Sequence, residues 1–220
     1  MKTDGKKGIV TGIALILAFI VWTILIQRVD VQPAGVNGTD IGFATVNTWF
    51  HQLTGVHMGI YTVTDWLGLV PIVVCICFGV LGLVQWIKRR SLTKVDPDII
   101  LLGVYYILVI LAYLVFEMIP INYRPVLIEG AMEASYPSST TLLVLSVMPT
   151  LIFQVSRRTQ SPMVRTLTMA CAVLFSALMV IGRLISGVHW LTDIIGAILL
   201  SAGLYILYRS IVVMMDQKKA

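Results

Sequence analysis

The chain has 220 residues, 58% of them apolar and only 12% charged, against about 25% charged in an ordinary soluble domain. Its 3 cysteines, Cys75, Cys77 and Cys171, lie inside apolar runs, which argues against a disulfide framework and a cysteine-built metal site. The net charge of +5 comes from short Lys/Arg clusters between apolar stretches with no interleaved aromatics, a membrane-topology pattern and not a nucleic-acid surface.

A hydrocarbon core of about 30 Å takes roughly 20 helical residues to cross. Six runs qualify in chain order: Ile9–Ile26, Trp66–Ile87, Ile99–Ile119, Thr141–Val155, Leu167–Ile185 and Trp190–Tyr208. No small-residue cleavage site follows the first run, so it reads as a retained helix rather than a cleaved signal. Residues 27–65 form the longest connection and include an amphipathic stretch, 41–53, able to lie along the interface. Tryptophans 22, 49, 66, 86 and 190 fall near span ends as an aromatic belt would. No repeat or linker divides the chain, so residues 1–220 read as one all-α integral membrane domain.

With six spans both termini share a side. Thirteen of the 16 Lys and Arg fall on that side, leaving only Arg28, Arg124 and Arg183 on the other. Cytoplasmic loops hold the excess of such residues, so both termini are expected in the cytoplasm and loops 27–65 and 120–139 outside. The small size points to a bacterial cytoplasmic membrane.

Ionisable residues at membrane depth are costly and mark function by default. In this topology Glu117, Arg124, Ser138, Ser139, Arg183, His189 and Asp193 all meet the same outer boundary, although the orientation came only from loop charges. Two arginine forks suit a phosphate, because they bind bidentately and keep their charge. Ser138-Ser139 open a helix whose free N–H groups and dipole favour an anion. His189 and Asp193 are spaced i,i+4, which lets the carboxylate orient the imidazole. Each piece has a plainer reading alone: a helix cap, a pair of headgroup anchors, an interfacial ion pair. Together they read as a phosphate site beside a nucleophilic histidine.

These residues resemble the type 2 phosphatidic acid phosphatase (PAP2) superfamily, six-helix membrane lipid phosphatases related to vanadium haloperoxidases. Its motifs, K-x6-R-P, P-S-G-H and S-R-x5-H-x3-D, correspond here to Glu117-x6-Arg124-Pro125, Pro137-Ser138-Ser139-Thr140 and Gly182-Arg183-x5-His189-x3-Asp193. The resemblance implies that His189 forms a phosphohistidine and Asp193 orients it. It also implies that Arg124, Arg183 and Ser138 cradle the phosphate, with no metal or other cofactor; Ser139, where the family has Gly, joins them as a phosphate-binding candidate from its place at the helix start. The departures are chemical: Glu117 replaces a phosphate-binding Lys, Thr140 replaces the His that protonates the leaving oxygen, and Gly182 replaces a Ser. Threonine is no general acid near neutral pH. Glu133 and Glu129 are candidate replacements, and His51 or His57 is placed to fold over the site from the first external loop.

The expected function is therefore a metal-independent phosphatase or phosphotransferase. Its partner would be a membrane lipid phosphate or polyprenyl diphosphate, with inorganic phosphate as product or inhibitor. The alternative is a weakened homologue that binds or translocates phosphorylated lipid.

Overall fold

The computed structural model describes residues 2–219, and the side chains of residues 5–218. Lys2 and Lys219, counted above among the loop charges, thus lie outside the described side chains. The described residues fold into eight α-helices: α1 (Lys2–Ile26), α2 (Ala44–Thr54), α3 (Met58–Leu67), α4 (Leu69–Arg89), α5 (Pro97–Met118), α6 (Ser139–Arg158), α7 (Pro162–Ile185) and α8 (Leu191–Lys219). No strand occurs among the described residues, only isolated bridges such as Tyr123 with Ala134 in the α5–α6 connection. Among the described residues six helical runs are long and apolar enough to span a membrane, with α3 and α4 together forming the second.

The helix ends follow local chemistry. Pro97 and Pro162 stand in the first turns of α5 and α7, where a missing N–H costs nothing. The Ser161 hydroxyl accepts from Val164 N, satisfying one of the orphan donors of α7.

One boundary differs from the sequence reading. The first long connection stops at residue 57, not 65, because α3 adds just over two turns before Trp66. Tyr61, Thr64 and Asp65 dilute the apolar run and read as loop. Thr64 is turned to protein, buried with its hydroxyl donating to the Ile60 and Tyr61 carbonyls, while Asp65 stays exposed. The amphipathic stretch is a helix, α2, but it is docked on the bundle through buried Asn47. The Asn47 amide nitrogen donates to the Thr192 hydroxyl and its oxygen accepts from Thr192 N.

α8 is the hub, packing on α1, α2, α5, α6 and α7. The polarity of the bundle is reversed relative to a soluble protein. α6 buries Thr141, Ser146, Thr150 and Gln154, while α1, α5 and α7 present Leu17, Ile107 and Leu174 outward, as lipid-facing helices do. Trp190 is buried, with its indole donating to the Tyr123 carbonyl, and Trp22 donates to the Thr192 carbonyl. Neither belongs to an interfacial belt, unlike the exposed Trp49, Trp66 and Trp86.

α1 lies against α8 through glycine. A Cβ at Gly8 would sit 2.1 Å from Ser210 Oγ, and one at Gly12 only 2.6 Å from Leu207 Cγ. This small-xxx-small spacing lets the backbones approach and gain dispersion contacts where no hydrophobic driving force exists. Gly12→Val should therefore lower the unfolding temperature of the detergent-purified protein, at about the 1–3 kcal/mol level of an overpacked core. Gly79→Ala, where a Cβ meets nothing within 4 Å, should leave it unchanged.

Candidate functional site

The centre of the site is a pair of buried guanidiniums. Arg124 lies in the α5–α6 connection and Arg183 in the last turn of α7, and their Cζ atoms lie 5.6 and 4.9 Å from the centroid of one ring, Tyr61 of α3. Arg183 is 1% exposed. The compensation is partial. Arg124 Nη2 meets Glu133 at 3.1 Å, and Arg183 Nη1 meets Asp65 at 3.6 Å and the Thr64 hydroxyl at 3.4 Å. Arg124 Nε and Nη1 and Arg183 Nε are buried with no partner. Buried donors without acceptors are costly and need an explanation. Two arginines with spare donors side by side present what a tetrahedral oxyanion needs.

His189 stands beside them on the turn that leads into α8. Its Nε2 is 3.5 Å from Arg183 Nη2 and its Nδ1 is 3.6 Å from Asp193 Oδ2. The sequence reading placed both residues on one helical face, but His189 lies just ahead of α8. Asp193, in the first turn, reaches back to the Trp190 N–H at 2.9 Å, as the acidic member of a capping box does. Asn122 donates to its other oxygen at 3.4 Å. The carboxylate is thereby fixed facing Nδ1, and Nε2 is left facing the arginines. Burial first, then the charges of Arg124 and Arg183, hold the imidazole pKa well below its ordinary value, so the ring is neutral at neutral pH.

The turn is clamped from outside. His51 Nε2 bonds to the Gly187 carbonyl at 3.1 Å, and His57 N donates to the Ser186 carbonyl at 2.9 Å. Gly187 has φ +71, and a Cβ there would meet the Gly55 carbonyl oxygen at 2.1 Å. Only glycine fits this close crossing of two backbones. His51 therefore folds over the back of the His189 turn, whereas the His57 ring is exposed and bonds only to the Thr54 carbonyl.

At the start of α6, Ser138 is fully buried. Its hydroxyl donates to Thr141 Oγ1 rather than capping the helix, and its N–H donates to the Asp193 carbonyl. Ser139 and Thr140 line a largely apolar cavity of about 480 Å³ that opens between α4, α5 and α6, with Asp65 and Gly68 also on its wall. Glu117 is exposed and borders a separate small hollow with Ser135, Tyr136 and Ser139. Glu129 is exposed at the tip of the hairpin, and Glu133 is occupied by Arg124. Of the two acid candidates, Glu129 is therefore off the site and Glu133 on its rim. The sequence reading missed Tyr61, Asp65 and Asn122. The first two fell within a presumed loop, and an uncharged Asn carries no signal of membrane depth.

Residues 112–216 match the model of the PAP2 superfamily. The fold is that of a PAP2 membrane protein. No curated protein sequence matches the chain. A solved structure, the first transmembrane PAP2-type phosphatidylglycerolphosphate phosphatase from Bacillus subtilis, is similar in fold, with a TM-score of 0.64 and 17% identity over 94% of this chain and 96% of that one.

In this PAP2 frame the exchange of a motif serine for Gly182 has a steric reason. A Cβ at 182 would lie 2.7 Å from the Thr64 methyl. The close approach of α7 to α3 is what brings Arg183 to Tyr61 and Asp65. Gly182→Ser should separate the helices at a cost of about 1–3 kcal/mol, read as a lower unfolding temperature and weaker phosphate binding. Adding Thr64→Ala should restore both, a non-additivity expected only of residues in contact.

Proposed function

We propose that the protein is a metal-independent phosphatase or phosphotransferase acting on a membrane lipid phosphate or diphosphate through a phosphohistidine at His189. The observation that carries this reading is His189 Nε2 lying 3.5 Å from a buried arginine that still has an unpartnered N–H. Arg124, Arg183 and the first turn of α6 hold the phosphate oxygens, and charge built up in the transition state falls on donors already in place. Neutral Nε2 attacks phosphorus in line, and the Asp193 carboxylate 3.6 Å from Nδ1 stabilises the imidazolium that forms. Water then cleaves the N–P bond and releases inorganic phosphate. The cavity beside Ser139 and Thr140 takes the tail, whether a diacylglycerol or a polyprenyl chain. The Lys/Arg-rich end of the bundle faces the cytoplasm and the site faces the other side, in a bacterial cytoplasmic membrane. The second reading, binding or movement of phosphorylated lipid without turnover, draws on Thr140, which brings no imidazole to the cavity wall.

Phosphate release by purified protein from phosphatidate, phosphatidylglycerol phosphate and a prenyl diphosphate, with EDTA present, tests the reading. Wild type should turn over at least one of them, and His189→Ala none. Arg183→Ala should weaken vanadate inhibition by about 30-fold or more, the effect of about 2 kcal/mol expected for an anion losing a buried charged partner. Vanadate or phosphate binding with no turnover would leave the binding reading in its place.

The depressed pKa of His189 also sets a pH dependence. A histidine lowered in the folded enzyme stays deprotonated as pH falls through 6.5, so the acid limb of kcat/KM assigned to it should lie well below the ordinary histidine range. By linkage, the folded state loses stability only where protonation is forced, as pH falls below the ordinary histidine range toward the depressed value. A limb centred at 6.5 or above would mean that the imidazole is not held between the two arginines.

A further inference from the structure

A lipid alcohol is a poor leaving group, and its oxygen needs a proton as the bond to phosphorus breaks. With the phosphate on Arg183 and the tail in the cavity, the bridging oxygen lies where these two spaces join. One carboxyl among the described residues belongs to both: Asp65 approaches Arg183 Nη1 with Oδ1 at 3.6 Å and lines the cavity with Gly68, Ser139 and Thr140. Its position follows from the break in the second span. α3 ends at Leu67, and a Cβ at Gly68 would lie 3.5 Å from the Thr140 methyl, so the break packs on the start of α6. The other nearby carboxyls lack this placement. Glu133 is held by Arg124, and Glu117 borders a different hollow, with neither on the wall of the large cavity.

We propose that Asp65 is the general acid of the first step and the general base of the second, an assignment that rests on the phosphatase reading above. The Asp65 side chain is 58% exposed, so its carboxyl can exchange a proton with solvent. As the Nε2–P bond forms and the bond from phosphorus to the bridging oxygen breaks, the Asp65 proton passes to that oxygen and the lipid alcohol leaves along the cavity. A water oxygen then attacks phosphorus, its proton goes to the Asp65 carboxylate, and the N–P electron pair returns to His189. Inorganic phosphate departs with Asp65 protonated as at the start.

Leaving-group dependence tests this. Asp65→Asn should lower turnover of phosphatidate by about 10²–10⁴-fold, the usual cost of losing an acid. The same variant should release the first equivalent of nitrophenolate from p-nitrophenyl phosphate within tenfold of the wild-type rate, since that anion departs without a proton. The burst should then stall, with phosphohistidine accumulating because the base is missing. Asp65→Glu should recover part of the phosphatidate rate, as should Thr140→His added to Asp65→Asn. Asp65→Asn that cleaves phosphatidate within tenfold of wild type overturns the assignment and leaves the phosphatase reading standing. Equal loss on both substrates, unrelieved by Asp65→Glu or Thr140→His, also overturns it and reduces Asp65 to a holder of Arg183. A wild type that releases phosphate from neither substrate, nor from phosphatidylglycerol phosphate or a prenyl diphosphate, overturns both.

Discussion

Two guanidiniums share one aromatic ring at the boundary of the membrane. Arg124 and Arg183 both lie within 6 Å of the Tyr61 centroid, so two like charges are held close together where water is scarce, and they repel strongly there. Tyr61 offers each a π face, while Glu133 and Asp65 neutralise each only in part. The surrounding structure works to maintain this arrangement. Arg124 is fixed by the connection around it, where its own N–H donates to the Glu133 carbonyl and Ser135 N donates to the Asn122 carbonyl. Arg183 is fixed by the approach of α7 to α3 at Gly182. His189 is set beside both by the clamped turn before α8. On the proposed reading, an incoming phosphate would relieve the repulsion and meet the unpartnered N–H groups at once, so anion affinity and arginine strain would have the same origin.

The far end of the bundle makes the contrast plain. There Arg157 meets Asp216 at 2.6 Å and Asp98 at 3.4 Å, Arg158 meets Asp98 at 3.0 Å, and Arg89 meets Asp96 at 2.7 Å. These pairs tie the end of α6 to the start of α5 and the end of α8. Each of these cations has a carboxylate within reach and is partly open to water, so the network joins helix ends without spare binding capacity. Arginine is present at both ends, but among the described residues only the Arg124–Arg183 end has buried guanidinium nitrogens left over.

Much of this was legible in the sequence because membrane proteins expose apolar surface and cannot hide charge. Six apolar runs gave the number of spans. Arg124, Arg183, His189 and Asp193 stood out as ionisable residues at span ends, and the fold brings Arg183, His189 and Asp193 into one chain of contacts. What was not legible depended on packing between distant segments. Asp65 read as the end of a loop, since four polar side chains within five residues, 61–65, mask a helix that turns Thr64 into the protein. Trp190 read as an interfacial residue, although its indole is bound to a carbonyl 67 residues away. Asn47 and Asn122 have no charge to betray them, yet one docks α2 on α8 and the other bonds to Asp193. The glycine seam of α1 on α8 was equally silent, because only the partner backbone shows which glycines are needed.

The central claim is that the two arginines and His189 form one site for a phosphoryl group in transfer. A structure of the protein with orthovanadate bound tests it most directly, since five-coordinate vanadate mimics phosphorus under in-line attack. The account predicts vanadium bonded to His189 Nε2, equatorial oxygens on Arg124 and Arg183, and the apical oxygen opposite His189 directed toward Asp65 and the cavity. Vanadate bound away from His189, or held by the arginines with Nε2 turned aside, would contradict it.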